Sequence, residues 1–166
     1  ASKIAKKLKC TLNSVPISEP QSGVKNVLSD LFKGLDPDTT EENIQSRLRG
    51  LLLMAMSNKF GEMLLTTGNK SEVAVGYATI YGDMSGGYNP LKDLYKTRVF
   101  EIAKWRNSNH HSWMRGPNTE LINNSVLNKA PSAELRDNQK DEDSLPDYSI
   151  LDSILKGFID DDKSVA

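Results

Sequence analysis

Apolar positions along the chain recur mainly at helical spacing, with intervals of three and four residues. Polar residues occupy the opposite faces, and glycine or proline stands near several of the boundaries. The clearest helix begins at a capping Thr39 or Thr40, carries two glutamates in its first turn and is stopped by Gly61. The same pattern predicts helices over residues 2–9, 24–34, 39–60, 96–107 and 146–158.

Two short segments have the pattern of strands instead. Residues 11–17 alternate weakly, and residues 62–66 are predicted to be a short buried strand that ends at the turn 67–70. Ser71 then caps a helix predicted to extend to about Tyr81. This order of strand, tight turn and helix predicts an α/β fold, in which helices flank a parallel sheet and ligands bind at the carboxyl ends of the strands.

The second half of the long predicted helix is apolar on nearly every side. Residues 51–56 read Leu-Leu-Leu-Met-Ala-Met, the longest apolar run in the chain. A helix with this pattern is expected to be buried on several sides, against a sheet or another subunit. Six residues are far fewer than the ~20 that a membrane span needs.

Composition and charge narrow the class of protein. The 166 residues carry 21 Lys and Arg against 22 Asp and Glu, so the formal net charge is −1. This balance gives no general attraction for nucleic acid or an anionic membrane. Cys10 is the one cysteine, which fits a reducing compartment, and its apolar neighbours predict a buried side chain. We therefore expect a cytoplasmic protein, and a helix starting at Ser2 leads us to expect a piece of a longer chain.

Three segments carry residues suited to nucleotide chemistry. At 67–72 small polar residues lead into a helix, where backbone N–H groups can meet an anion and Glu72 could hold Mg²⁺ beside a polyphosphate. An ordinary capped helix is the alternative. Asp83 lies among glycines that leave the backbone accessible to a ligand, although a flexible connector would have the same composition. Arg47 and Arg49 could clamp phosphates or could line a solvated helical face.

The segment 129–145 is strongly charged. Eight of its seventeen residues are charged, and Pro131 stiffens its beginning. One interpretation is a mobile lid that carries Lys and Ser toward a nucleotide, and the other is a disordered acidic loop. The end of the chain, 160–166, is expected to fray.

Five segments in this order resemble one family. They are Glu42-Asn43-Ile44-Gln45-Ser46-Arg47-Leu48-Arg49-Gly50, Thr67-Gly68-Asn69-Lys70-Ser71-Glu72, Tyr81-Gly82-Asp83, Lys129-Ala130-Pro131-Ser132-Ala133-Glu134-Leu135 and Asp143-Ser144-Leu145-Pro146. Together they are similar to the synthetase domain of glutamine-dependent NAD⁺ synthetases. The resemblance covers residues 2–160.

The resemblance implies a Rossmann-like, adenine-nucleotide-binding domain of the ATP-pyrophosphatase type. It also implies a ligase reaction in which ATP adenylylates deamido-NAD⁺ with Mg²⁺ present, pyrophosphate leaves, and ammonia displaces AMP to give NAD⁺. In this family the ammonia comes from glutamine in a separate domain, and the synthetase domains form homodimers.

The resemblance further assigns roles to individual residues. Thr67, Lys96 and Ser132 would contact ATP, while Glu72 would hold the magnesium ion or the dinucleotide. A further set would contact deamido-NAD⁺, namely Asn43, Arg47, Glu72 and Lys140. Asp83 is the candidate catalytic base, because an ammonium ion must lose a proton before its nitrogen can attack.

Two departures from the family pattern change the functional expectation. The family's phosphate loop, Ser-Gly-Gly-x-Asp-Ser, is absent from these 166 residues, and Cys10 lies in the wrong context to replace the glutaminase cysteine. We expect these residues alone to be inactive. The alternative functions are a non-catalytic nucleotide-binding or dimerisation module, and an ATP-pyrophosphatase ligase for another substrate.

Overall fold

The computed structural model describes residues 1–164, and regular structure in that range is helical. A 3₁₀ turn at Asp141–Asp143 precedes the last α-helix, and a π-helical turn at Lys156–Asp160 follows it. The α-helices are α1 (Ser2–Leu8), α2 (Ser18–Leu28), α3 (Thr39–Phe60), α4 (Lys70–Ala74), α5 (Lys96–Ser108), α6 (Asn124–Leu127) and α7 (Tyr148–Leu155).

The predicted long helix is confirmed in α3, although its cap differs from the prediction. Asp38 Oδ1 accepts a hydrogen bond from Thr40 N at 2.7 Å, and Asp38 N donates to Glu41 Oε2 at 2.8 Å. Asp38 and Glu41 form a capping box, in which the Asp38 side chain also accepts from the backbone of Glu41. Hydrogen bonding by Thr40 holds the pKa of Asp38 below its ordinary value. Gly61 ends the helix in the left-handed conformation, with φ 66°.

The chain divides into two compact units. The terminal unit comprises Ala1–Ser14, Leu94–Ser132 and the chain from Lys140 onward. The central unit comprises Val15–Asp93 and Ala133–Gln139. The charged segment 129–145 is therefore shared between the units, because its middle belongs to the central unit and its two ends to the terminal unit.

The terminal unit is organised around α7. Its buried face presents Tyr148, Leu151 and Leu155 as an apolar cluster, against which Tyr95 and Leu145 pack. The same face carries Asp152, which is buried, and its Oδ2 accepts a hydrogen bond from Thr97 N at 2.8 Å. Because α5 has no side-chain cap of its own, this carboxylate from α7 satisfies a donor at its start.

The predicted parallel sheet is not formed among residues 1–164. The β-pairing described there is a single parallel bridge between Leu65 and Tyr88, and residues 11–17 have no regular structure. The helix predicted over 71–81 is also shorter, ending at Ala74 with Asn69 as its cap instead of Ser71. Strands need a partner to satisfy their backbone groups, whereas helices satisfy theirs internally, and this explains why the helix predictions hold better.

Buried positions in the central unit are small and polar, as at Ser46, Asn69, Ser71 and Thr79. Its apolar side chains are largely exposed, and Leu51 in the middle of α3 is 57% accessible. Residues 51–56 are therefore not buried on several sides within this chain, and their burial against another subunit stays a prediction. Four large apolar side chains of this helix are more than one-third exposed, namely Leu51, Leu53, Met54 and Phe60.

Two smaller sequence expectations concern the chain ends and the cysteine. Cys10 is exposed, so the prediction of a buried thiol is wrong. The tail 160–166 lies partly outside the described residues. Asp160 Oδ2 accepts a hydrogen bond from Tyr95 at 3.1 Å, and fraying beyond it stays a prediction.

None of the helices within residues 1–164 combines the length and apolar character needed to cross a bilayer.

Candidate functional site

A turn over residues 79–85 docks on one face of α3 in the central unit. The residues of that face are Asn43, Ser46, Arg47 and Gly50, which follow the i, i+3, i+4, i+7 spacing of a helical stripe. Asn43 Oδ1 accepts a hydrogen bond from Thr79 Oγ1 at 3.0 Å, and Arg47 Nε donates to the carbonyl of Ile80 at 3.2 Å. Two predicted dinucleotide ligands therefore hold the turn that carries the predicted base.

Asp83 is held in place by one of its two carboxylate oxygens. Its Oδ1 accepts hydrogen bonds from Ser46 Oγ at 3.1 Å and from Thr79 N at 2.7 Å. The backbone N–H of Asp83 donates in return to Ser46 Oγ at 3.2 Å. Because these bonds use Oδ1, and Asp83 is exposed, they fix the carboxylate while Oδ2 can still accept a proton.

Glycine at two positions allows the turn to approach α3 this closely. A Cβ on Gly82 would lie 2.3 Å from Ser46 Oγ, and a Cβ on Gly50 would lie 2.9 Å from the carbonyl oxygen of Gly82. Both distances are shorter than a Cβ tolerates. The glycines of this region therefore serve close packing rather than flexibility, which corrects the interpretation of the segment as a flexible connector.

The segment that carries Thr67 and Glu72 begins beside Tyr88, which follows the turn over 79–85 in the chain. Thr66 N donates to the carbonyl of Tyr88 at 3.0 Å, and Thr67 follows as an exposed residue. Glu72 N donates to Asn69 Oδ1 at 3.1 Å, and Glu72 Oε2 accepts from Asn69 N at 3.2 Å. Glu72 is thus part of a capping box, the alternative that the sequence left open, and a ligand role for it stays a prediction.

The other three predicted ligands belong to the terminal unit. Lys96 is the first residue of α5, and its Nζ lies 5.2 Å from the centroid of the Tyr148 ring. Ser132 follows Pro131, whose carbonyl accepts a hydrogen bond from Asp141 N at 2.9 Å. Lys140 is exposed at the start of the 3₁₀ turn, where its N–H donates to Asp143 Oδ2 at 3.0 Å.

The middle of the charged segment contacts α3 within the central unit. Arg136 Nε lies 3.1 Å from Glu42 Oε1, and Gln139 Nε2 donates to Glu42 Oε2 at 3.3 Å. Arg49 Nη2 donates to the carbonyl of Glu134 at 3.3 Å. These contacts are partly exposed, and exposed ion pairs contribute little to stability. They give this segment a defined place on the helix without anchoring it firmly.

Several organising residues escaped the sequence analysis. Ser46 and Thr79 fix Asp83, while buried Asp141 accepts a hydrogen bond from buried Tyr148 at 2.8 Å. Ser46 could have been found from its place on the Asn43 stripe of α3. The partnership of Asp141 with Tyr148 had no such signal, because an acidic run ordinarily indicates a solvated surface.

Comparisons with known proteins bear on this arrangement. The family model described as NAD synthase matches residues 1–166. The chain belongs to the NAD synthase family. A glutamine-dependent NAD⁺ synthetase from Rhodobacter capsulatus is 60% identical over 165 residues, which cover 99% of this chain and 30% of that protein.

Solved structures of this family share the fold. The glutamine-dependent NAD⁺ synthetase from Acinetobacter baumannii in complex with adenosine diphosphate is 40% identical, with a TM-score of 0.70, and the match covers 98% of this chain and 27% of that one. NMN synthetase from Francisella tularensis is 26% identical, with a TM-score of 0.75, over 98% of this chain and 59% of that one. Compared with the Rhodobacter relative described above, the chain spans about 30% of the full length.

The close packing in this NAD synthase family member predicts a specific glycine requirement. Gly82→Ala should lower the free energy of unfolding by about 1–3 kcal/mol, the usual cost of overpacking. The added methyl group must displace Ser46, which also holds Asp83. Chemical unfolding followed by circular dichroism measures the difference.

Gly23→Ala is the matched control for this substitution. Gly23 lies inside α2, and a Cβ there meets nothing within 4 Å. Alanine at that position should stabilise the helix by about 0.5–1 kcal/mol. Equal stability of Gly82→Ala and the parent chain would contradict the close-packing argument.

Proposed function

We propose that this chain is part of a ligase that uses ATP to adenylylate deamido-NAD⁺ and then amidates it with ammonia, which glutamine supplies in the whole enzyme. The products are NAD⁺, AMP and pyrophosphate. The observation that carries this proposal is the Asp83 carboxylate, fixed through one oxygen beside the Asn43 and Arg47 face of α3. A soluble, cytoplasmic enzyme is part of the same proposal.

The nucleotide ligands follow from the family pattern and the chemistry of the side chains. Thr67, Lys96 and Ser132 would bind ATP, and Asn43, Arg47 and Lys140 would bind deamido-NAD⁺ together with Glu72. Mg²⁺ commonly takes one or two protein carboxylates and completes its shell with phosphate oxygens and water, so Glu72 fits as a single protein ligand. When bound, Mg²⁺ would stabilise the negative charge that develops on pyrophosphate.

Asp83 would act in the second half of the reaction. Ammonium carries no lone pair, so a carboxylate must take its proton before nitrogen attacks the adenylylated carboxyl group. The geometry supports this role because Oδ1 is used by Ser46 and Thr79, while Oδ2 remains for the proton. The reaction then breaks the bond between that carboxyl group and AMP.

Substitutions of Asp83 separate the chemical role from the structural one. In the natural polypeptide that carries these residues, Asp83→Asn keeps an oxygen for Ser46 and Thr79 but cannot accept the proton. We expect amide formation to slow by about 10²–10⁴-fold, the usual range for a general base. Exchange between ATP and pyrophosphate, which needs no ammonia, should stay near the parent rate.

Asp83→Ala and Asp93→Asn complete this experiment. Asp83→Ala also removes the oxygen that accepts hydrogen bonds within the turn, so the rates of both half-reactions should fall. Asp93 pairs with Lys92 at 2.8 Å on the surface, so Asp93→Asn should leave both rates unchanged. Equal loss of both half-reactions in Asp83→Asn would contradict the base assignment. Binding of ATP without either half-reaction in the parent protein would favour the non-catalytic nucleotide-binding module. The same assay with deamidated nicotinamide mononucleotide as the substrate tests the alternative of an ATP-pyrophosphatase ligase for another substrate.

We also propose a homodimer that buries the exposed apolar side chains of α3 and the neighbouring residues 43–49. Leu51 and Met54 lie one turn apart and are both exposed. Burial of apolar surface is the main driving force of stable association, which favours a partner over this face. Its coverage by other parts of a longer polypeptide is the competing explanation.

Light scattering tests the dimer directly. The double variant Leu51→Glu, Met54→Glu should convert the natural polypeptide from dimer to monomer, because charges at a buried interface lose their hydration. Leu35→Glu is the matched control, since Leu35 is 70% exposed outside α3. A parent protein that is monomeric at high concentration, or a double variant that stays dimeric, would contradict the proposal.

The segment 129–145 is proposed as a mobile lid over the nucleotides. The middle of the segment makes polar, partly exposed contacts with Glu42 and Arg49, and nucleotide contacts can compete with these. Amide hydrogen exchange should slow in this segment when ATP and deamido-NAD⁺ are both present. Exchange in α5 serves as the internal reference, and equal exchange of 129–145 with and without the nucleotides would count against a lid.

A further inference from the structure

The start of α5 in the terminal unit is held by two side chains of α7. The ring of Tyr148 lies under the Lys96 ammonium, with 5.2 Å between Nζ and the ring centroid. One turn further along α7, the Asp152 carboxylate accepts the hydrogen bond from Thr97 N at 2.8 Å. The backbone beside Lys96 and the end of its side chain are therefore both placed by the buried face of one helix.

The Tyr148 ring is itself fixed by the charged segment. Its hydroxyl donates to Asp141 Oδ2 at 2.8 Å, and both residues are buried. Asp141 is in turn held by its N–H, which donates to the carbonyl of Pro131 at 2.9 Å. A continuous chain of contacts thus leads from Pro131 through Asp141 and Tyr148 to Lys96.

We infer that Tyr148 is a positioning residue, whose ring holds the Lys96 ammonium for ATP and whose hydroxyl ties that ring to Asp141. This inference rests on the proposed function, in which Lys96 binds ATP. A flexible lysine has many rotamers in solution, and a ring beneath the ammonium restricts them without neutralising the charge. The contact with Asp141 makes the position of Lys96 depend on the order of residues 140–145.

The inference predicts that Tyr148 affects the binding of ATP through Lys96. In the natural polypeptide, Tyr148→Leu should raise KM for ATP by about 3- to 30-fold, as expected for loss of a cation–π contact. Tyr148→Phe keeps the ring and loses the tether, so its KM for ATP should lie between those of the parent and Tyr148→Leu. A purely structural role would lower kcat through the active fraction and leave this KM unchanged.

A double-mutant cycle with Lys96→Met identifies the route of the effect. If Tyr148 acts through Lys96, adding Tyr148→Leu to Lys96→Met should not raise KM for ATP any further. Tyr95→Phe is the matched control, because it removes a tyrosine hydroxyl from the same helix start but leaves the Lys96 ring contact in place. Thermal unfolding of every variant identifies those that fold.

The outcomes separate this inference from the proposed function. An unchanged KM for ATP in Lys96→Met would overturn the assignment of Lys96, and the inference with it. A raised KM in Lys96→Met with an unchanged KM in both Tyr148 variants, or with additive effects in the cycle, would overturn only the inference. If Tyr148→Leu does not fold, the cycle is run with Tyr148→Phe. An unchanged KM for ATP in Tyr148→Phe then overturns the inference that Tyr148 positions Lys96.

Discussion

The close approach of Gly82 to Ser46 places the turn over 79–85 on α3 in the central unit. Because residue 82 has no side chain, the turn over 79–85 reaches the surface of α3, where a Cβ would lie 2.3 Å from Ser46 Oγ. With the turn this close, Ser46 Oγ donates to the Asp83 carboxylate and accepts from the Asp83 N–H. The orientation of Asp83, and the bond between Arg47 and Ile80, follow from the same approach.

The two units are stabilised in different ways. The terminal unit has an apolar cluster on α7, and its buried carboxylates are satisfied by specific donors, such as Tyr148 for Asp141. The central unit buries small polar groups and leaves apolar side chains exposed. Hydrogen bonds and close backbone contacts give it a defined geometry. The proposed dimer would bury some of these exposed apolar side chains.

Residues that organise the backbone here are also the residues suited to ligands. Glu72 closes a capping box with Asn69, and Asp83 closes a turn with Thr79. A carboxylate that is already fixed by the fold loses less conformational freedom when it binds a ligand. The structural and the proposed chemical roles of these residues are therefore compatible.

The sequence by itself determined the family and most of the longer helices, because helical spacing, helix stops and short motifs are local signals. The stop of α3 at Gly61 and the start of α5 at Lys96 were predicted in this way. Tertiary structure alone decided the pairing of Asp83 with Ser46, 37 residues away, and that of Tyr148 with Lys96. It also decided that Leu51 is exposed. Such features depend on which distant segments meet, and neither residue type nor spacing specifies those contacts.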